Sequence, residues 1–434
     1  MGSRYNFDRM QRELHRLRTS PSFRLGLHLT SAIRRPWRAP FLIITLPTLM
    51  FRIGLELIGI LPQPRALLLN EAGRPVENGS CVVMFPTNGV GFGHFTRMLA
   101  VAKRMKNLDP ALEVIFFTTM PTLHLLKPYG IPAHHIAGPK YFKGFDSQAW
   151  NALLEEELNL CIDTHRPSMF IFDGAYPYRG MLRAIQERPS IKKLWMRRGT
   201  FRTGTSIPVD STAHFDALIF PQDSVQGESE EINPDVEIIT SSPIVMLDES
   251  ELLSKNEARA RLGLPTQAFV VYVQLGAGEI NDIESEVRLT VNALLENPDV
   301  YVVLGESLIG ARISIDLPRF RILRDYPNSM YFSAFDATIQ AGGYNSYHET
   351  RRFGLPALFY PNMSTGMDDQ LKRCKAAENE GWGIVLERRT KQTIQNACND
   401  LILNSRNRNT IQESINGADQ LADILVRELH AAER

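Results

Sequence analysis

The chain has 434 residues, 44% of them hydrophobic and 22% charged, with 29 Gly and 26 Pro, so it can bury a large core; disorder and collagen-like repeats are excluded. Its formal charge is zero, yet the first forty residues carry nine Arg against Asp8 and Glu13, a balance of +7 that leaves −7 for the rest. That asymmetry argues against nucleic acid as a partner of the body and directs the N-terminus toward something anionic. Four cysteines (Cys81, Cys161, Cys374, Cys398) without a CxxC pair argue against a disulfide framework or a structural zinc site and fit a reducing cytoplasm.

Residues 41–61 form an apolar stretch close to the ~20 residues that cross a bilayer. It is a poor span, because Pro47 interrupts it and Arg52 and Glu56 would be costly in hydrocarbon unless shielded. Upstream, Phe23, Leu25, Leu27, Leu29 and Ile33 interleave with Arg24, His28, Arg34, Arg35, Trp37 and Arg38, a composition suited to the headgroup boundary of an anionic leaflet. Residues 1–75 are therefore read as a membrane-surface extension and linker, peripheral on the inner face of the cytoplasmic membrane. A helical hairpin packed on protein and a true span are the alternatives.

Beyond the linker, short apolar runs alternate with helical patterns. Strands are predicted at 81–85, 114–118, 169–172, 193–196, 216–220 and 236–240, with helices near 96–106 and 148–164. A second half restarts with a capping box at Ser254 and Glu257 and a stop at Gly263. Its strands are expected at 269–274, 300–304, 320–323, 337–340, 357–360 and 383–386, and its helices at 285–295, 346–353, 369–380 and 393–403. Continuous apolar strands of this kind imply parallel sheets covered on both faces. The expected architecture is α/β, two doubly wound domains over 76–245 and 246–405, then a C-terminal helix in 406–434, with the ligand cleft at the carboxyl ends of both sheets.

Three turns carry candidate chemistry. The first, Asn88-Gly89-Val90-Gly91-Phe92-Gly93-His94, follows the first strand and opens a helix. Gly89, Gly91 and Gly93 form an acceptor-side loop, and His94 is a titratable group at the cleft mouth. The second strand ends in Thr118-Thr119 rather than an acid, which argues against a dinucleotide. Asp173 ends the strand at 169–172 on the same sheet edge, where it can orient His94 as a base, or else cap the next helix. In the second half, Gly342-Gly343-Tyr344-Asn345-Ser346 runs from a strand into a helix, a diphosphate site by geometry and dipole. Glu349 lies one turn on, placed to take two ribose hydroxyls, unless Ser346 and Glu349 are merely a capping box. Asp369-Gln370 starts the next helix at the same edge. The turn Gln274-Leu275-Gly276-Ala277-Gly278 offers backbone N–H groups to phosphate.

Together, in this order, the loop ending in His94 and the stretch from Gly342 through Glu349 and Gly354-Leu355-Pro356 to Asp369-Gln370 resemble the UDP-sugar glycosyltransferases of the GT-B fold. The resemblance runs over roughly 81–403. It is greatest to the branch that adds N-acetylglucosamine to lipid-linked muramyl peptide and to the plant and antibiotic small-molecule glycosyltransferases. It implies His94 as base oriented by Asp173, Glu349 on the nucleotide ribose, and Asp369 and Gln370 on the donor sugar. Asn345 and Ser346 match the plant-type Asn-Ser, and Gly276, Gly278, Gly342 and Gly343 complete the donor site. Two departures stand out. Ala341 replaces the phosphate-binding His of the plant enzymes, leaving amides, Ser346 or a basic run such as Arg197 to Arg202 to carry that charge. There is no Asp-x-Asp, so no metal and no cofactor beyond the nucleotide sugar is expected. The reading is an inverting, metal-independent transferase from a UDP-sugar to a lipid-linked or cell-envelope glycan in a bacterium. A non-hydrolysing nucleotide-sugar epimerase and a non-catalytic sugar-nucleotide-binding subunit are the alternatives.

Overall fold

A computed structural model describes residues 20–58, 60–61, 80–87, 91–142, 146–186, 188–197, 209–225, 236–276, 283–306, 312–364, 368–405 and 415–432. The chain divides into two compact units, 1–77 and 78–434.

In the first unit α1 (Pro21–Arg34) begins at Ser20, whose hydroxyl caps the Phe23 amide at 3.2 Å, and a 3-10 turn (Pro36–Phe41) leads into α2 (Leu42–Leu57). The helices form a hairpin that buries Glu56 alongside Ala32 and Ile53. Glu56, with a side chain 6% exposed, accepts from Arg24 and from Arg52, and His28 Nε2 meets Thr45 Oγ1 at 2.9 Å. Large apolar side chains point outward instead: Ile43 is 81% exposed and Phe51 70%. The acid that makes the sequence a poor span is thus shielded within the hairpin. The Pro36–Leu57 segment is long and apolar enough to cross a membrane.

The second unit contains two parallel sheets. The first has β1 (Cys81–Pro86), β2 (Glu113–Thr118), β3 (Ala133–His135), β4 (Met169–Asp173), β5 (Lys192–Met196), β6 (Ala217–Pro221) and β7 (Glu237–Ser241), in the order β3-β2-β1-β4-β5-β6-β7. Around it lie α3 (Gly93–Leu108), α4 (Ser147–His165) and α5 (Arg179–Gln186). The second comprises β8 (Phe269–Gln274), β9 (Val300–Gly305), β10 (Phe320–Leu323), β11 (Ala337–Gln340), β12 (Ala357–Phe359) and β13 (Gly383–Val385), in the order β10-β9-β8-β11-β12-β13. Its helices are α6 (Lys255–Leu262), α7 (Ile283–Leu295), α8 (Tyr344–Arg352), α9 (Gln370–Asn379) and α10 (Lys391–Asn404). The central strands are buried throughout, as a sheet covered on both faces requires.

The capping box at Ser254 and Glu257 forms, and α6 stops at Gly263 in the left-handed conformation. Three details depart from the sequence reading. β3, Ala-His-His, is an edge strand too short to carry an apolar signature. The helix predicted from 346 starts at Tyr344 with Gly343 as N-cap. The last helix, α11, runs Gly417–Ala432 and returns to the first sheet's side: Ala418, Leu421, Ala422 and Leu425 are buried in that domain's core, and Asp419 pairs with Arg104 of α3 at 2.7 Å.

Candidate active site

Strand order dictates where the first pair meets. β1 and β4 are neighbours with Pro86 opposite Asp173, and the Thr87 amide donates to the Asp173 carbonyl at 2.9 Å. The chain leaving β1 therefore starts α3 beside the Asp173 carboxylate. His94, the second residue of α3, donates from Nδ1 to Asp173 Oδ1 at 2.6 Å. With Nδ1 as the donor in that bond, Nε2 is the ring nitrogen left in the accepting role. Asp173 is not a helix cap, since α5 begins at Arg179. Gly174, next to it, has no room for a Cβ, which would come within 2.5 Å of Phe172 and 2.8 Å of Thr87.

A third member joins the pair. Arg97, one turn along α3 and 1% exposed, donates to both oxygens of Asp173 at 2.7 and 3.0 Å and lies 3.0 Å from His94 Nδ1. Burial pushes the Asp173 carboxyl up, but the Arg97 charge and His94 outweigh it and hold it below its ordinary value. Asp173 is thus kept anionic to orient the imidazole.

The second sheet's edge closes on this group. Asn345 Nδ2 donates to the Gly93 carbonyl at 3.3 Å, Tyr326 and Thr96 share a hydroxyl contact at 2.9 Å, and Tyr344 donates to the Gln222 carbonyl at 3.0 Å. The start of α8 therefore stands against the residue next to His94. Gly342 adopts φ +78°, and a Cβ there would lie 2.2 Å from Cys374 Sγ, so the turn into α8 requires glycine. The N-cap, Gly343, has no side chain with which to cap α8. Ser346 lies inside that helix, which rules out the capping box with Glu349.

Glu349 accepts from Ser329 Oγ at 3.0 Å. Burial pushes its carboxyl up to about 7, against the opposing pull of that hydrogen bond. Asp369 caps α9 by accepting from the Lys372 amide at 3.0 Å, and Gln370 Oε1 accepts from the Asn362 amide at 2.9 Å. A Cβ at Gly91 would meet nothing within 4 Å, and one at Gly93 would lie 3.9 Å from Arg97, so neither glycine is required by crowding. Gly276 has φ +104° at the end of β8. Gly89, Ala277 and Gly278 lie outside the described residues, as do 198–202 of the basic run. Arg197 itself is buried against Trp195 and Phe220, with its guanidinium 4.8 and 5.6 Å from the ring centres.

The acid of the 368–370 segment that faces the other domain is Asp368. With Asp223, from the loop after β6, it grips Arg373: Asp223 accepts at 2.7 and 2.9 Å and Asp368 at 2.8 Å. Arg373 also donates to the Gly342 carbonyl at 3.0 Å, and His348 Nε2 meets Asp223 at 3.1 Å. Burial acts to raise the Asp223 carboxyl, but the Arg373 charge holds it well below its ordinary value. Tyr344 lies between the Arg97 and Arg373 guanidiniums, 5.3 and 5.8 Å from its ring centre.

No family model matches the chain. Among curated proteins it is 21% identical over 337 residues to the UDP-N-acetylglucosamine–N-acetylmuramyl-(pentapeptide) pyrophosphoryl-undecaprenol N-acetylglucosamine transferase of Desulforudis audaxviator, covering 70% of this chain and 84% of that one. It is 26% identical over 145 residues to the sterol 3-beta-glucosyltransferase of Kluyveromyces lactis, 32% of this chain but only 12% of that protein's length. Solved structures with the same architecture include the calicheamicin glycosyltransferase, at a TM-score of 0.56 and 14% identity over 81% of this chain and 98% of that one. Another is the glycotransferase of kitacinnamycin, at 0.53 and 13% over 81% and 99%. The chain thus has the two-domain GT-B fold, and the curated proteins its sequence matches are glycosyltransferases.

Proposed function

We propose that the protein is an inverting, metal-independent glycosyltransferase that moves a sugar from UDP to a lipid-linked or cell-envelope glycan. The observation that carries this is the 2.6 Å His94–Asp173 bond at one sheet edge with the start of α8 brought to Gly93 from the other. His94 Nε2 takes the acceptor hydroxyl proton and the acceptor oxygen attacks the anomeric carbon from the face opposite the nucleotide. The transition state is oxocarbenium-like. UDP departs toward the uncapped N-terminus of α8, whose amides and dipole offset its growing charge in place of a divalent ion. Glu349 takes the ribose hydroxyls, and Gln370 with Asp369 faces the donor sugar. Formation of a glycoside and UDP from UDP-sugar and acceptor tests the reading; release of a free epimerised sugar from UDP-sugar alone would overturn it.

Glu349 gives the donor site a pH signature. Above about pH 7 it is a carboxylate able to accept two hydroxyls, and below that it carries a proton. UDP affinity measured by calorimetry is expected to rise with pH across neutrality, and Glu349→Gln should abolish that dependence and cost about 1–3 kcal/mol of binding at high pH. Gln370→Ala should spare UDP and weaken the complete sugar nucleotide. A raised carboxyl holds more protons folded than unfolded, so its unfavourable contribution grows as pH climbs from the ordinary carboxylate value to about 7. Glu349→Gln is accordingly expected to raise the melting temperature in alkaline buffer and not at acid pH.

The outward apolar face of the α1–α2 hairpin and its nine-Arg approach support a seat on an anionic leaflet. The full chain should pellet with vesicles of acidic lipid and be partly released by salt, whereas a chain starting at Glu71 should stay in solution and still bind UDP. Retention through an alkaline wash would indicate a spanning segment instead.

A further inference from the structure

We propose that His134, Cys161 and His165 form a binding site for a transition-metal ion of the Zn2+ kind, at the β3 edge of the first sheet. Cys161 and His165 lie one turn apart on α4, so both side chains share a helix face. His134 reaches them from β3. The three ligand atoms lie within 4.8 Å of one another, with His134 Nε2 2.8 Å from His165 Nε2. Around a tetrahedral ion with bonds of about 2.0–2.3 Å, donors stand roughly 3.3–3.8 Å apart. The imidazoles therefore need to separate by about half an ångström, and the widest pair, up to 4.8 Å apart, to draw in by about one, for the set to close on an ion.

The surroundings support the assignment independently. Glu113, the first residue of β2, has Oε1 3.6 Å from His165 Nδ1. A carboxylate this near Nδ1 favours the tautomer that offers Nε2 to a metal, and a carboxylate is the usual outer partner of a ligating histidine. Cys161 is fully buried while the two histidines remain half-buried, which gives the ion a route from solvent and leaves a fourth position for water. Imidazole and thiolate together suit Zn2+ better than Mg2+ or Ca2+.

Its location gives it a structural role. His134 belongs to the edge strand β3, where it pairs with Phe117 of β2, and His165 ends α4 just before β4, so the set joins two elements that are distinct from those carrying His94 and Asp173. An ion here would pin the edge strand β3 to α4. Sequence spacing hides the set, because only Cys161-x-x-x-His165 is local.

The test uses the full chain. After incubation with Zn2+ and gel filtration, elemental analysis is expected to find about one zinc per chain, and Co2+ in its place should show a thiolate-to-cobalt absorption band. Cys161→Ser should remove the band, His134→Ala should lose the zinc, and Glu113→Gln should weaken Zn2+ binding about 10- to 100-fold. Circular dichroism checks that each variant is folded. If Cys161→Ser does not fold, the cobalt spectrum of the unaltered chain decides. No stoichiometric zinc, no thiolate band, or full zinc retention by a folded His134→Ala would overturn the site and leave His134 and His165 as a hydrogen-bonded pair.

Discussion

His94→Ala is expected to lower turnover about 100-fold or more while leaving UDP binding intact, because His94 belongs to the first domain and the donor residues to the second. Such a loss corresponds to about 2.7 kcal/mol of barrier. Asp173→Asn should do nearly as much damage for two separable reasons. An amide no longer stabilises the imidazolium, and the Arg97 guanidinium, 1% exposed, loses the only charge it was seen to pair with among the described residues. The second effect is a stability effect, so Asp173→Asn should also unfold at lower denaturant than His94→Ala does. If the two residues act as one unit, the double variant should turn over scarcely more slowly than His94→Ala. Turnover at saturating UDP-sugar should fall toward acid pH as the base is protonated, and that limb should vanish in His94→Ala. Saturating donor matters here, because Glu349 imposes its own pH dependence on affinity. Normal turnover by His94→Ala on the true acceptor would remove His94 from the chemistry.

The pairing of His94 with Asp173 was legible because it follows from topology alone. Both residues sit just past the carboxyl ends of strands, and in a parallel sheet with β1 beside β4 those ends adjoin. Arg97 was not legible, since an Arg one turn into a helix reads as a solvated side chain until the carboxylate beneath it is known. Asp369 shows the reverse case: a residue assigned to substrate by resemblance also serves as the cap of α9, and a dipeptide cannot separate those roles. The hairpin's buried acid was half visible. Arg52 and Glu56 stood out as misfits in an apolar run, but their partner Arg24 lies on the other helix. Contacts assembled from distant segments, such as Asp223 with His348 and Arg373, leave no periodicity and no spacing to read.

Those segments carry the second large expectation. Arg373→Met should destabilise the protein by about 3–5 kcal/mol, because it leaves Asp223 and Asp368 as facing buried carboxylates with their shared cation gone. Arg373 is fully buried, so water cannot take the guanidinium's place without opening the contact between the two sheet domains. The sign with pH follows from the carboxyl values. Asp223 is held well below its ordinary value in the folded chain, so its contribution is present in full above the ordinary carboxylate range and is lost as pH falls through the folded value. The gap in denaturant midpoint between the unaltered chain and Arg373→Met should therefore narrow in acid. Loss of the bond to the Gly342 carbonyl adds a functional consequence, since that bond braces the turn at the start of α8. At temperatures where the variant stays folded, its UDP affinity should drop even though Arg373 has no place on the nucleotide. Asp223→Asn with Asp368→Asn removes the charge repulsion but strands the guanidinium, and it should be about as damaging. A variant in which all three are replaced by apolar residues of similar volume should recover most of the stability without recovering donor affinity, which separates the cost of unpaired charge from the bracing of the turn.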